Sequence, residues 1–226
     1  MFLGSPISHW KQSVFWGVYA LLGGIFYLYL RTFSLSLSTF NSSATFAGMV
    51  LINMSFALSG TSYFWNLGKS YLGYRKPLGV VGFGFAILHI LVSTYMYSEN
   101  FSTLTYFTSN PIPFIFSLHA FVILTMMVIV SNFGIPARIG GIVWRQLLRI
   151  GYIAILFIII HATLLSAPAW KNWFTTFKPI LPPLSSITVL MSWTTIFLRI
   201  ALWYALRRNE RQPQKENPSR SSTIID

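Results

Sequence analysis

Six long apolar stretches constrain this chain more than any other feature of its sequence. A helix needs roughly 20 mostly apolar residues to cross about 30 Å of hydrocarbon, and the stretches are near that length. Charged residues are almost absent from them, although Arg199 lies near the final turns of the sixth. The pattern predicts an all-α integral membrane protein, a bundle of six transmembrane helices. The predicted spans are approximately Ser13–Leu30, Ala44–Trp65, Leu78–Tyr97, Pro113–Ser131, Leu147–Leu165 and Leu184–Leu206.

The composition supports a lipid environment and excludes several kinds of chemistry. Of the 226 residues, 54% are hydrophobic and only 9% are charged, which is outside the range of soluble domains. Sixteen lysines and arginines against four acids give a formal charge of +12. The basic residues lie between and after the apolar stretches, so membrane topology explains them and nucleic acid is not an expected partner. Without cysteine, the chain offers no disulfide, iron–sulfur cluster or thiol nucleophile.

The basic residues also predict the orientation of the bundle. Lysine and arginine accumulate in the segments at one end, and such segments normally face the cytoplasm. Both termini are therefore predicted to be cytoplasmic. The first apolar stretch is expected to be retained, because the preceding residues lack the layout of a cleaved signal. The predicted organisation is a cytoplasmic N-terminus (1–12), a transmembrane domain (13–206) and a basic, disordered cytoplasmic tail (207–226).

Three histidines lie within predicted spans three, four and five. The helical rise of about 1.5 Å per residue places His89, His119 and His161 each roughly 16–21 Å from the cytoplasmic boundary, in the outer half of the membrane. An ionisable residue at that depth costs free energy unless it is satisfied, so it indicates a functional site. We predict that His89 and His161 are the metal ligands of one haem b, coordinating its iron from opposite faces.

The residues around these histidines leave alternatives open. Gly82 and Phe85 precede His89 on the same span and are predicted to contact the cofactor. Helix packing is the alternative for the glycine, because small residues also serve that purpose in membranes. The histidines could instead form interhelical hydrogen bonds, and His119 is a candidate for packing, for support of a ligand or for ligation itself. A zinc or copper site built from all three is a further alternative.

Acid–base chemistry lacks the groups that it needs. Glu99 is the only acidic residue before residue 210, and no Ser-His-Asp set, phosphate-binding loop or dinucleotide fingerprint is present. We therefore expect neither hydrolysis nor acid–base catalysis. Electron transfer through a bound cofactor is the chemistry that remains.

Two motifs resemble the ferric-reductase-like transmembrane domain. One is Arg75-Lys76-Pro77-Leu78-Gly79 leading into Leu88-His89, and the other is Trp144-Arg145-Gln146-Leu147-Leu148-Arg149 leading into His161. This superfamily includes the membrane parts of ferric reductases and NADPH oxidases, and the haem-binding membrane subunit of the bacterial methionine sulfoxide reductase system. The resemblance covers at least spans two to five. It implies that His89 and His161 match the outer pair of haem histidines.

The sequence departs from the family pattern at the inner haem. Many members carry a second histidine thirteen or fourteen residues earlier on each of the two helices, and these positions are Arg75 and Leu148 here. Leucine cannot ligate iron. The resemblance therefore implies a single haem, in the outer half of the membrane.

The resemblance also implies an oxidoreductase component that depends on partners. The chain ends about twenty residues after the sixth span, without the flavin and nicotinamide domain of the oxidases and ferric reductases. A separate reductase, a quinol or a bound flavin would supply electrons, and an outer-side protein would accept them. Arg145 and Arg149, with Arg138, could hold a flavin phosphate or an acidic donor, although topology alone also explains them. The layout is most similar to the stand-alone sulfoxide reductase subunit, which implies the bacterial plasma membrane.

Two other functional classes compete with this interpretation. One is a small membrane protein without haem, such as a permease or an assembly partner. Transporters often carry a charged or interrupted site at the midplane, and here only glycines could interrupt a helix, so transport ranks lower. The other is a haem-binding sensor or structural subunit, which the missing inner histidines keep open.

Overall fold

The computed structural model of the chain describes residues 6–65, 69–132 and 140–211. Within these ranges the protein is all-helical, with six long helices and one short 3₁₀ helix at Lys69–Tyr74. All six long helices are apolar and long enough to cross a membrane, which confirms the predicted architecture of a multi-pass membrane protein. They are α1 (Pro6–Thr32), α2 (Leu37–Phe64), α3 (Arg75–Asn100), α4 (Pro111–Asn132), α5 (Gly141–Thr176) and α6 (Leu184–Arg211).

Successive helices run antiparallel, so the start of α1 and the end of α6 lie at the same end of the bundle. At that end Tyr74, just before α3, donates a hydrogen bond to Gln12 of α1. At the other end the Tyr27 hydroxyl of α1 donates to the carbonyl of Pro182, 2.9 Å away, just before α6. We call the first the basic end and the second the opposite end. The basic end carries Lys11, Lys76, Arg149, Arg207 and Arg208.

The start of α2 differs from the sequence-based prediction. The second span is predicted to start near Ala44, but the helix begins at Leu37. Ser36 caps it, because its side chain accepts a hydrogen bond from the backbone N–H of Thr39 at 3.2 Å. The prediction was wrong here because hydropathy marks where a helix becomes apolar, whereas capping marks where it starts.

Helix α5 is also longer than predicted at the opposite end. It continues through Pro168 to Thr176, eleven residues beyond the expected end of the span at Leu165. Its 36 residues correspond to about 54 Å, well over the hydrocarbon thickness, so its last turns project beyond the membrane core. The Trp170 indole donates to Ser185 Oγ at 2.9 Å and ties this extension to the start of α6.

The predicted termini are partly helical. Helix α1 begins at Pro6, within the expected cytoplasmic N-terminus, and α6 continues to Arg211, into the expected tail. Both helices continue from their apolar stretch into polar sequence for a further turn or two. The remaining tail, residues 212–226, lies outside the described residues.

Close packing of small residues holds α2 against α3. A Cβ atom added to Gly82 would lie 3.0 Å from the Gly48 carbonyl oxygen and 2.8 Å from Ile52 Cγ1. Lipid supplies no hydrophobic driving force between helices, so such close van der Waals contact is what stabilises the pair. The two backbones therefore approach as closely as they do because both contact positions lack a side chain.

The central core joins α2 and α3 to α4, α5 and α6, and large apolar side chains cover the outside of the bundle. Such wide apolar exposure suits a surface in contact with lipid. The buried core cluster is Ile52, Phe56, Phe83, Ala120, Leu124, Ala154, Ile155, Ile159 and Val189. Side chains that are at least half exposed include Leu22, Phe26, Leu91, Val122, Leu190, Phe197 and Tyr204.

Candidate functional site

His89 faces α2 near the opposite end of the bundle. Its Nδ1 atom lies 2.9 Å from Asn41 Oδ1 and 2.8 Å from Thr45 Oγ1. Asn41 and Thr45 are four residues apart on one face of α2, so a single helix surface presents both oxygens to the ring. Ser93, one turn further along α3, lies at the long distance of 3.5 Å from the same nitrogen. The imidazole is thus anchored through one of its two nitrogens.

The hydrogen bonds around His89 indicate which nitrogen carries the proton. The Asn41 amide is oriented by its own Nδ2, which donates to Ser93 Oγ at 2.9 Å and leaves Oδ1 as an acceptor for the ring. The Thr45 hydroxyl donates to the Asn41 backbone carbonyl at 3.0 Å, so its oxygen is also left as an acceptor. Nδ1 of the neutral ring must then be the donor, and Nε2 bears the free lone pair.

His161 on α5 is held in the same tautomer by a different kind of partner. Its Nδ1 lies 2.9 Å from the backbone carbonyl of Pro113, in the first turn of α4. A carbonyl oxygen can only accept, so Nδ1 is again the donor and Nε2 has a lone pair. In the part of the chain that the structure describes, neither His89 Nε2 nor His161 Nε2 forms a hydrogen bond.

The two histidine-bearing helices stand apart from each other. Within the described residues no Cα atom of α3 lies within 8 Å of a Cα atom of α5, whereas α2 and α3, and α4 and α5, pack directly. Two oriented imidazoles with free Nε2 atoms, on separated helices, fit the donor set of a bis-histidine haem.

His119 bonds within its own helix. Its Nδ1 bonds to the carbonyl of Ile115 in its own helix at 2.7 Å, and its ring meets Phe157 edge-on at 5.9 Å. The carbonyl that binds His161 belongs to Pro113, six residues or about 9 Å further along α4. His119 thus contacts a residue one turn away from His161 on α5, and the expectation that all three histidines share one level stays a prediction.

A three-histidine metal site is not formed. Among the described side chains no three histidine, cysteine, aspartate or glutamate residues lie close enough together to hold a metal ion. The zinc or copper alternative required such a cluster. The described histidines therefore do not form the triad that this alternative needs.

Gly82 and Phe85 point toward other helices. Gly82 lies in the close contact with Gly48 of α2, which is the packing alternative that the sequence left open. The Phe85 ring packs over Gly17 of α1, where an added Cβ atom would lie 2.5 Å from it. Both residues shape the back of α3, so they support the position of His89 and do not face α5.

The predicted basic site at the start of α5 is only partly described. Arg149 is exposed at the basic end. The side chain of Arg145 and the whole of Arg138 lie outside the described residues. The arrangement of these three arginines around a flavin phosphate therefore stays a prediction.

Asn41, Thr45 and Ser93 were not predicted as site residues. Asn41 lies before the predicted start of the second span at Ala44, and hydropathy gives no reason to single out one hydroxyl in a span. A local signal was nonetheless present, because Asn41 and Thr45 are spaced by four residues and Ser93 follows His89 by four. Polar residues at helical spacing, on the helix of an intramembrane histidine or on a neighbouring helix, are thus candidate partners of its ring.

No protein-family model matches the chain, and no curated protein is similar to it at a significant level. The fold and the site therefore define its class: a six-helix, multi-pass membrane protein with two oriented imidazoles on separated helices.

Proposed function

We propose that this protein binds one haem b through His89 and His161 and transfers single electrons within the membrane. One observation carries the proposal: on two separated helices, the Nδ1–H of each imidazole donates to the protein and each Nε2 keeps its lone pair. When bound, the haem supplies the one-electron redox couple. The chain itself supplies the ligands, their orientation and an apolar surrounding that favours a large flat cofactor.

The contacts at Nδ1 have a specific part in this proposal. In metal sites, a ligating histidine usually donates its second ring N–H to a carboxylate, a carbonyl or water, which fixes the tautomer and makes the ligand more basic. His161 has this arrangement with the Pro113 carbonyl, and His89 has the equivalent with Asn41 and Thr45. Asn41, Thr45 and Pro113 are thus positioning residues, which act through the two ligands.

The resemblance to the ferric-reductase-like transmembrane domain supports the same assignment. In that family the third and fifth helices carry the haem histidines, and α3 and α5 hold His89 and His161 here. Many members have a second pair of histidines, and the corresponding residues in this chain are Arg75 and Leu148. We infer that the chain is a one-haem member of this superfamily, similar in layout to the membrane subunit of the sulfoxide reductase system.

The proposal includes an orientation and partners. The basic end faces the cytoplasm of a bacterial plasma membrane, because lysine and arginine accumulate there. A separate reductase, a quinol or a flavin donates electrons from the membrane or the cytoplasm. A protein on the outer side accepts them, since the histidine pair lies nearer to the opposite end of the bundle.

An absorption spectrum of the detergent-purified protein tests the proposal. The protein is expressed with ample haem supply, and its spectrum is recorded in the oxidised and the dithionite-reduced state with a haem count. We expect a Soret band that shifts on reduction, sharp α and β bands, and about one haem per chain. A colourless protein would overturn the proposal and favour a membrane protein without haem.

Alanine variants test the two ligands. His89→Ala and His161→Ala should each lose the haem, while His9→Ala should keep it, because His9 packs against Tyr74 at the basic end. Circular dichroism shows whether each variant keeps its helices. Full haem retention in both ligand variants would contradict the assignment.

A further inference from the structure

Buried polar side chains lie where α2 packs against α6. Asn53 of α2 is 2% exposed, and three hydroxyl residues of α6, which we call the polar stripe, are buried as well: Thr188, Ser192 and Thr195. Their spacing of four and three positions places them on one side of α6. Asn53 lies near the middle of α2, at a depth where the hydrocarbon of a membrane holds no water. Any polar atom here depends on partners within the protein.

The hydrogen bonds of Asn53 fix the orientation of its amide. Nδ2 donates both of its hydrogens, one to the carbonyl of Met49 at 2.9 Å and one to Ser192 Oγ at 3.0 Å. Turning the amide over would place Oδ1 against the Met49 carbonyl, and two acceptors form no hydrogen bond. The oxygen is therefore the atom of the amide that still needs a partner.

This oxygen, Asn53 Oδ1, is buried and accepts no hydrogen bond from any described residue. The hydroxyl groups of the polar stripe do not supply one, because each donates to a backbone carbonyl of its own helix at 2.8–3.1 Å. A hydroxyl has only one hydrogen to donate. A buried acceptor without a donor costs free energy, and the cost is high inside a membrane. A small donor from outside the chain would remove it.

We propose that one water molecule is bound at Asn53 Oδ1, between α2 and α6. It donates one hydrogen to Oδ1 and the other to Ser192 Oγ, which keeps a lone pair after accepting from Nδ2. Ser192 Oγ is bonded to the other polar atom of the same amide, so a single water reaches both oxygens. Buried waters typically bond to polar groups that would otherwise be unsatisfied. With this water, two polar contacts instead of one join α6 to α2.

An experimental structure of the full-length protein, from crystals grown in a lipid mesophase, tests the site directly. At a resolution of about 2 Å or better, we expect a density peak roughly 2.6–3.2 Å from Asn53 Oδ1 and from Ser192 Oγ. An empty, dry contact at this resolution would overturn the proposal, and so would an Oδ1 atom that accepts from a protein donor. A peak with six or more oxygen neighbours at about 2.4 Å would identify a cation instead.

Water-edited NMR of the full-length protein in deuterated detergent tests the same site in solution. Asparagine and isoleucine are labelled with ¹⁵N, and Asn53→Leu identifies the side-chain signal of Asn53. Magnetisation should pass from water to the Asn53 amide but not to the backbone amide of Ile155, which is fully buried in the apolar core. A dry Asn53 amide, equal to Ile155, would contradict the proposal.

Two variants of the polar stripe test the second partner of the water. Ser192→Ala removes that partner, so transfer from water to the Asn53 amide should be lost, and the melting temperature should fall by roughly 2–6 °C. Thr195→Val is the matched control, because its hydroxyl bonds only within α6, and it should keep the transfer. Circular dichroism shows whether each variant keeps its helices.

The variants can also overturn the proposal. Undiminished transfer in Ser192→Ala, or an equal loss in Thr195→Val, would show that no water bridges Asn53 and Ser192. Neither the structure nor the NMR measurement depends on haem content, so failure of this site and failure of the haem site are distinguishable.

Discussion

The two ends of the α3–α5 pair carry different chemistry on the same scaffold. At the opposite end, His89 and His161 are neutral, oriented rings, and groups of α2 and α4 hold them through Nδ1. At the basic end, Arg75 and Leu148 line one cavity of about 220 Å³. The spacing of two helices thus offers a place for a ligand, whereas a few side chains determine which ligand is suited to it.

The polar groups around His89 also differ from those around Arg75. Around His89 the polar partners are uncharged: Asn41 and Thr45 of α2, and at a longer distance Ser93 of its own helix. Around Arg75, Nε lies 3.4 Å from the Ser55 carbonyl, and Lys76 is the second cation of the cavity lining. A neutral, rigid site suits a metal-bound cofactor, while a cationic site suits an anion.

The largest expected effect separates ligation from packing at His89. His89→Gly should lose nearly all haem, and added imidazole should restore most of it, because the free base can occupy the space and coordinate in place of the side chain. Haem content per chain measures both steps. A variant that keeps its haem without imidazole would show that His89 only packs, and the contrast between the two ends would disappear.

A smaller effect is expected at the partner of that ring. Asn41→Leu removes an acceptor of the Nδ1 proton, so haem affinity should fall about 10–100-fold, as for other supports of metal ligands. Haem transfer to an apo-protein acceptor measures the change. Asn132→Leu is the matched control, because the Asn132 side chain bonds to a carbonyl of its own helix. Equal losses of haem affinity in both variants would show that Asn41 does not position His89.

Replacing a glycine of α3 by alanine should destabilise the protein only where that glycine lies in close contact with α2. Gly82→Ala places a Cβ atom 3.0 Å from the Gly48 carbonyl oxygen, so we expect it to lower the free energy of unfolding by about 1–3 kcal/mol. Gly84→Ala has no heavy atom within 4 Å and should be neutral or slightly stabilising. Thermal unfolding of both proteins compares them. Equal stability would show that α2 and α3 are less tightly coupled than their geometry indicates.

The smallest effect is expected when a histidine is introduced at the basic end. Leu148→His should leave the haem count at about one per chain. Arg75 still lines the same cavity, and a cavity of about 220 Å³ is small for a second haem. The pyridine haemochrome assay checks this. A count near two would mean that the basic end accepts a haem as soon as it has a ligand, so that the two ends differ less than we propose.

Much of the fold could be predicted from local properties of the sequence. The length and hydropathy of each apolar stretch predicted six spanning helices, and the structure has all six. The boundaries were less accurate, because Ser36 caps α2 before its apolar stretch begins and α5 continues through Pro168. Hydropathy describes the part of a helix that suits lipid, whereas hydrogen bonding determines where the helix ends.

The candidate site depended on information from several helices. The sequence by itself placed His89 and His161 on the third and fifth spans, since depth follows from position along a helix. Only the tertiary structure showed that Asn41, Thr45 and Pro113 hold their Nδ1 atoms and that Gly82 faces α2. The physical reason is that helix formation is local, whereas the rotation of each helix and its choice of neighbours depend on packing across the whole bundle.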